Sequence, residues 1–471
     1  MSGCDGHGAA NRIAALVVGI LAPLCLWPSH VARQAADTHS GRAPLSGAAS
    51  ALVRIVHVGQ HPVLVAVDAR DRHVFVANAG PLAGDHVLPS RPGSVSMVDE
   101  RTGAVLRTVT VGQSPVAIAV DAPARRVFVL SAGTISTAAG PASSGSTVTV
   151  LDAATGALRR TVAVAPVPVT LSGAGAVPGA RQALVVDAAR GRVYVVVATG
   201  VLALDGSTGL VRRRIALGGQ PSIAALDAAA GRLYVGDAYD PTIPTDPRPT
   251  GGTSRGFLAV VDLATSTVRA NVVLWQQGVG AIAVDGRGGR VLVIEPRGAS
   301  ERVIVDVLTA RTGARLRTTT LPGAIGGGDG AVALDQATGH AFVVYTPGGY
   351  EAENGTGAML YVLDTASGRV LQTAQLAGLT GGYFLSQVVA IVGHPARVLV
   401  ATARGALSEP PGSVAVSSSD ISVFDASDGR FLSTLPVGRG PHDVAIDENT
   451  HHIFITNEHD NTLGVFDALG L

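Results

Sequence analysis

The stretch VGQSPVAIAVDAPARRVFV (residues 111–129) returns near the end of the chain as VGRGPHDVAIDENTHHIFI (residues 437–455). Two further copies, VGQHPVLVAVDARDRHVFV from Val58 and LGGQPSIAALDAAAGRLYV from Leu217, align with them without a gap. A phrase repeated at this length marks a repeat architecture, in which one small unit buries its apolar faces only by stacking on its neighbours. Working outward from residues 111–129, one unit holds four runs rich in Val, Ile and Leu: VAIAVD (116–121), RVFVLS (126–131), STVTVLD (146–152) and ALRRTVAV (157–164). Their β-branched content, their shortness and their Gly or Asp punctuation predict strands and not helices. The turn after the third run also repeats. Asp152 to Gly156 has counterparts from Asp99 to Gly103, Asp205 to Gly209, Asp364 to Gly368 and Asp425 to Gly429. An Asp can accept hydrogen bonds from nearby backbone, and the Gly can take the positive φ that closes a short hairpin.

Counting fixes the architecture. The first strand ends at Asp68, Asp121, Asp187, Asp227, Asp285, Asp335 and Asp447, with Gly393 once in that place. The third ends at Asp99, Asp152, Asp205, Asp262, Asp364, Asp425 and Asp467, with Thr309 as the substitute. Both tallies reach eight, at a spacing of about 54 residues, which suits a four-stranded propeller blade. The last unit lacks a fourth strand, because Asp467 is followed by ALGL alone. LVRIVH (52–57) precedes the first repeat as LRRTVA precedes the later ones, and by pairing with the last unit it would seal the ring and remove an open edge. The expectation is an all-β, eight-bladed β-propeller of four-stranded antiparallel blades over residues 51–471. Seven blades are the alternative should the short third unit (183–216) fail to form one.

Composition narrows the function classes. Charged residues make up 15% of the chain, Lys+Arg and Asp+Glu balance at 35 each, and every basic residue is Arg. No basic cluster with interleaved aromatics is present, so nucleic acid is not an expected partner. The two cysteines, Cys4 and Cys25, precede the repeats, which therefore carry no disulfide, cysteinyl metal site or thiol nucleophile. IAALVVGILAPLCLW (13–27) is uncharged and would span about 22 Å as a helix, short of the ~30 Å hydrocarbon core. Residues 1–32 therefore read as a signal peptide or signal anchor, and 33–50, rich in Ala, Ser and Gly, as a flexible linker. The expected location is periplasmic, cell-surface or secreted, with membrane contact only through that N-terminal segment.

In a four-stranded meander the links from strand two to three and from strand four to the next strand one share one face. Those between strands two and three are long and varied here, as in 79–93, 132–145, 237–255, 346–357 and 403–418, whereas the opposite face carries short, uniform turns. Varied loops on a rigid scaffold are where binding usually resides. Candidate ligand-binding residues on that face are His61, Asp237, His442, Asp443, Glu458, His459 and Asp460. His442, Asp443, His459 and Asp460 could converge, whereas His451 and His452 start strand two at the plain end and cannot join them. At the inner strands, Ile118→Ala is expected to cost about 2–5 kcal/mol by loss of packing.

FVAN (75–78) and FITN (454–457), each followed by a loop and then SVSMVD or TLGVFD, resemble the Tyr-Val-Thr-Asn tetrapeptide of YVTN-type β-propeller repeat proteins. The passage from Thr102 to Asp121 is similar to that family's repeat. The resemblance runs over about residues 50–467 and is close in units one, two and eight. Units three, five and six lack the tetrapeptide Asn, and unit five lacks the third-strand Asp. It implies an exported bacterial or archaeal propeller of surface or periplasmic type, with no fixed catalytic motif. The leading expectation is a noncatalytic binding or interaction module, a monomer whose unidentified protein or small-molecule ligand sits on the diversified face. The alternative is a metal-dependent, lactonase-like hydrolase or a redox-associated propeller. Trp275 is the one tryptophan within the ring, against the docking motifs of quinone enzymes, and no C-x-x-C-H occurs for covalent haem. No cofactor is expected, a divalent cation being the one option left open. Glu295, Asp237, Asn457 and Asp443 are its candidate oxygen donors, but the chain holds only eight glutamates for such a cage.

Overall fold

The computed structural model describes residues 51–81, 91–136, 142–168, 183–218, 221–237, 256–274, 278–295, 302–325, 329–346, 358–376, 383–392, 396–408 and 413–471. The signal and linker expectations for 1–32 and 33–50 lie outside the described residues, as do Trp275, Gly393 and most of the long links, including 238–255 and 347–357.

Eight four-stranded antiparallel sheets form the ring, a β-propeller. The strands of each blade are labelled a to d from the axis outward. Blade 1 comprises Pro62–Asp68 (a), His73–Asn78 (b), Pro92–Asp99 (c) and Val105–Gln113 (d). Blade 2 comprises Pro115–Asp121, Arg126–Ser131, Thr147–Asp152 and Leu158–Ala163. Blades 3 to 7 follow over residues 184–216, 221–273, 281–325, 329–375 and 383–436. Blade 3 has all four strands, which removes the seven-bladed alternative. Consecutive a strands touch all the way round, and those of blades 8 and 1 complete the circle.

Blade 8 is built from both ends of the chain. Its strands Pro441–Asp447 (a), His452–Asn457 (b) and Thr462–Asp467 (c) are joined by Leu52–His57 as strand d. The pairing is antiparallel, from Leu52 opposite Phe466 to His57 opposite Thr462. The Asp467 N–H donates to the Ala51 carbonyl at 2.7 Å, and the Val58 N–H to the Asn461 carbonyl at 3.1 Å, so both ends of the closing strand are fastened.

The repeated residues account for the repeated geometry. At the c–d turn of blade 1 the Gly103 N–H donates to the Asp99 carbonyl at 2.8 Å, with Gly103 at φ +74°. The Thr102 N–H meanwhile donates to Asp99 Oδ1 at 2.7 Å. Thr309 serves the same turn in blade 5, its carbonyl accepting from Gly313 at 2.8 Å. A second bond ties this turn to the a–b turn. The residue after the c-strand terminus (Glu100, Ala153, Gly206, Leu263, Ala310, Thr365, Ala426 or Ala468) donates its N–H to the carbonyl just before strand b, and does so in all eight blades. The Gly of the VG dipeptide has a steric reason. A Cβ on Gly59 would stand 2.6 Å from Asn78 Cγ, and one on Gly438 2.6 Å from Asn457 Cγ, so Gly and the tetrapeptide Asn fit as a pair.

The core lies between blades. Strands b are covered on both faces and read as continuous apolar runs, while strands d, on the rim, are largely exposed, and those of blades 4 and 6 alternate. The third residue of strand b fills the inter-blade space as Phe75, Phe128, Tyr234, Phe342 or Phe454, each at most 1% exposed. Ile118 corrects an expectation: it is half-buried beside its cluster and not enclosed, so truncating it forfeits less than a fully buried side chain would. Because the a–b and c–d turns occupy one end of every blade, the d–a and b–c links occupy the other. In blade 2 the b–c link forms a small hairpin of Thr134–Ser136 paired with Ala142–Ser144 on that diversified face.

Candidate functional site

The site residues cluster where blade 8 meets blade 1, and strand a of blade 8 sets their positions. His442 is 6% exposed, and its Nδ1 lies 2.7 Å from the Val63 carbonyl on strand a of blade 1. A carbonyl can only accept, so the hydrogen resides on Nδ1. Asp443 binds the same neighbouring strand: Oδ2 accepts from the Val65 N–H at 2.9 Å and Oδ1 from the Val444 N–H at 2.9 Å. Its own N–H donates to Thr456 Oγ1 at 2.9 Å. His442 and Asp443 thus fasten two inner strands together, using groups that face the seam.

Beyond the end of strand b, Glu458–Asp460 forms a single 3-10 turn, and Asn461 after it adopts the left-handed conformation. Asn461 Oδ1 accepts from the His61 N–H at 2.8 Å, which draws the d–a link of blade 8 against the b–c link of the same blade. His61 is itself left-handed, at φ +51°, in the place immediately before the strand-a proline. Ser114 and Gly440 occupy the equivalent places at +53° and +68°. For a side chain as large as imidazole this backbone region costs about 1–2 kcal/mol, which glycine avoids.

His61 Nδ1 lies 3.7 Å from Glu458 Oε1, and the Glu458 side chain is 13% exposed. Burial pushes the Glu458 carboxyl up. The imidazoles of His61, His442 and His459 around it outweigh burial and hold the group below the usual range. The His459 ring covers Gly440 so closely that a Cβ there would collide with it. Asp460 pairs with Arg439, whose Nε lies 2.7 Å from Oδ1 and whose backbone N–H donates to Oδ2 at 2.7 Å. Burial opposes ionisation of Asp460 too, and the Arg439 donors and charge overcome it.

Six of the seven expected residues therefore share one seam: His61, His442, Asp443, Glu458, His459 and Asp460. Asp237 ends strand b of blade 4, four blades round the ring, and its side chain lies outside the described residues. Arg439, a variable position of the d–a link into blade 8, holds Asp460, and Asn461, which the expected set does not include, positions His61. The signal for Asn461 was present in its type, since Asn tolerates the left-handed turn conformation better than most residues. What assembles is a largely buried carboxylate flanked by three imidazoles at the rim of the channel, an arrangement of donors and acceptors suited to a small polar group. Among the described residues no group of three or more His, Cys, Asp and Glu side chains is arranged to hold a metal ion.

No family model and no curated protein matches the chain. Solved structures do. The chain is similar to the Dos1 propeller, with a TM-score of 0.58 and 11% identity over 88% of this chain and 95% of that one. It is similar to Saccharomyces cerevisiae Sqt1, with a TM-score of 0.56 and 10% identity over 89% and 99%. Kuenenia stuttgartiensis hydrazine synthase gives a TM-score of 0.50 and 14% identity over 88% and 97%. What they share with this chain is the propeller fold.

Proposed function

We propose that the chain is an exported, YVTN-type binding module of the bacterial envelope or periplasm, whose ligand docks on the face carrying the d–a and b–c links at the junction of blades 8 and 1. One observation carries this reading: links from opposite ends of the sequence bring His61, His442, Glu458 and His459 together at a single rim. Propellers are generally interaction scaffolds, which supports the reading by analogy of fold alone. The placement of His61 adds support, because an imidazole occupies a left-handed position that Gly440 fills at the equivalent place. The reading is of recognition and not of turnover.

The test is capture from envelope extract by the tagged full chain, compared with His61→Ala and Glu458→Gln on the diversified face and Arg72→Ala on the plain face. A bound component lost with the first two and kept with the third supports the proposal. One kept by the first two and lost with the third refutes the assigned face. Export is checked separately by fusing the N-terminal segment to a reporter active only outside the cytoplasm.

A further inference from the structure

The other end of the same seam, on the plain face, holds a pair of carboxyl groups that the binding reading does not use. Glu100 is the one ionisable side chain among the eight equivalent positions that follow a c-strand terminus. The geometry of that position is shown in blade 6, where Thr365 Oγ1 donates to Asp285 Oδ2 at 3.2 Å, reaching the aspartate that ends strand a of the preceding blade. In blade 1 the preceding blade is blade 8, and the aspartate is Asp447. By the same placement Glu100 directs a carboxyl group toward the carboxyl group of Asp447 at the junction where the ring closes. Each residue is 1% exposed.

The oxygens can be accounted for one at a time. Glu100 Oε1 accepts from Thr450 Oγ1 and from His452 Nδ1, the latter at 2.9 Å. Asp447 Oδ1 accepts from the Asn449 N–H at 2.8 Å. Glu100 Oε2 and Asp447 Oδ2 remain, both buried and, among the described residues, without a hydrogen-bond donor; the Arg72 guanidinium stands 3.6 Å from Oε2. Two buried acceptors directed at each other repel, but one proton between them satisfies both.

We propose that Glu100 and Asp447 share a single proton across the seam between the first and last blades, so that closure of the ring is held by an acid–carboxylate hydrogen bond that is lost when the proton leaves. The surroundings assign the proton to Asp447. Burial and the neighbouring charge of Glu100 raise the Asp447 carboxyl. Burial also acts on Glu100, but the donors Thr450 and His452 and the charges of His452 and Arg72 hold it ionised. Arg72 faces the pair from blade 1, and His452 faces it from blade 8. A cavity of about 480 Å³ lined by Ala69, Arg72, Asn449, Thr450 and His452 lies at this junction. A carboxyl raised on folding stabilises fully below its unfolded value and ceases to do so as pH climbs through its folded value. The latch is therefore closed in acid and loosened toward alkali.

The experiment follows urea unfolding of the full chain against pH, together with hydrogen exchange at strands Leu52–His57 and Thr462–Asp467, corrected for the intrinsic pH effect. The unfolding constant of the wild-type chain is expected to rise by up to about tenfold per pH unit between the ordinary aspartate value and the raised one. Protection is expected to fall at the seam before it falls in blade 4. Asp447→Asn, whose amide can donate permanently to Glu100 Oε2, is expected to remove that slope while leaving the His452–Glu100 contact intact. A slope unchanged in Asp447→Asn overturns the proposal, because it would then belong to His452 or another group. Should that variant not fold, the wild-type exchange decides alone: seam and blade 4 amides losing protection together as pH rises also overturns it.

Discussion

Gly59 and Asn78 lie nineteen positions apart in the repeat, and the structure makes them one steric unit. Gly59→Ala would place a Cβ 2.6 Å from both Cγ and Nδ2 of Asn78, and Asn78 has no room to retreat. It is fully buried, and its Nδ2 donates to Ser94 Oγ and Ser96 Oγ, each at 3.1 Å. Overpacking of this kind costs about 1–3 kcal/mol. Against it stands about 0.4–1 kcal/mol from the reduced freedom of the unfolded chain when Gly becomes Ala. The net expectation is destabilisation by about 0.5–2 kcal/mol. Asn78→Ala alone loses its hydrogen bonds and leaves a void, yet it empties the space the new methyl needs. In the double variant the alanine at 59 should be tolerated, giving an interaction energy of about 1–3 kcal/mol in a double-mutant cycle. Urea unfolding of the four proteins at one pH measures it. Additivity to within about 0.5 kcal/mol would falsify the claim that the VG dipeptide and the tetrapeptide Asn recur together because they touch.

The remaining expectations concern the core, the closure and the rim. Phe128→Ala, at a fully buried position, is expected to cost about 3–5 kcal/mol, and Ile118→Ala, half-buried at the channel, below about 2 kcal/mol; equal losses in urea titration would contradict the core placement. Deleting residues 51–57 strips the partner from Thr462–Asp467 and exposes that edge, so size-exclusion chromatography should show association or aggregation, and an unchanged elution profile would count against the closing strand. Glu458 is held below its ordinary value by its histidines, so it stabilises the fold above the unfolded value and the contribution fades as pH falls through the folded one. Glu458→Gln should flatten that acid-side decline below about pH 4.3, and an unaltered stability profile would show that the carboxylate is not engaged as described.

The blade count could be read in the sequence because each blade is closed by local chemistry: the Asp and Gly of a c–d turn lie four positions apart and act on each other directly. The closing strand was readable for a related reason, since LVRIVH precedes VGQHP as LRRTVA precedes later copies. The rim residues were readable as a set, because topology alone sends b–c and d–a links to one face. Their individual duties were not. Asp443 and His442 look like exposed donors in a list of polar residues, yet the ring turns both toward Val63 and Val65, some 380 positions earlier. Glu100 is concealed by the same cause. Following Asp99 it looks like a solvated turn residue, and its meaning depends on which aspartate the preceding blade supplies. For the other blades that neighbour lies about eighty positions upstream, as for Thr365 and Asp285, but for blade 1 it is at the far end of the chain. A repeat therefore announces its contacts within a unit and conceals those between units. The concealment is greatest at the seam, where first meets last, and it is there that this sequence departs from its own pattern by placing a carboxylate where the other blades carry Ala, Gly, Leu or Thr.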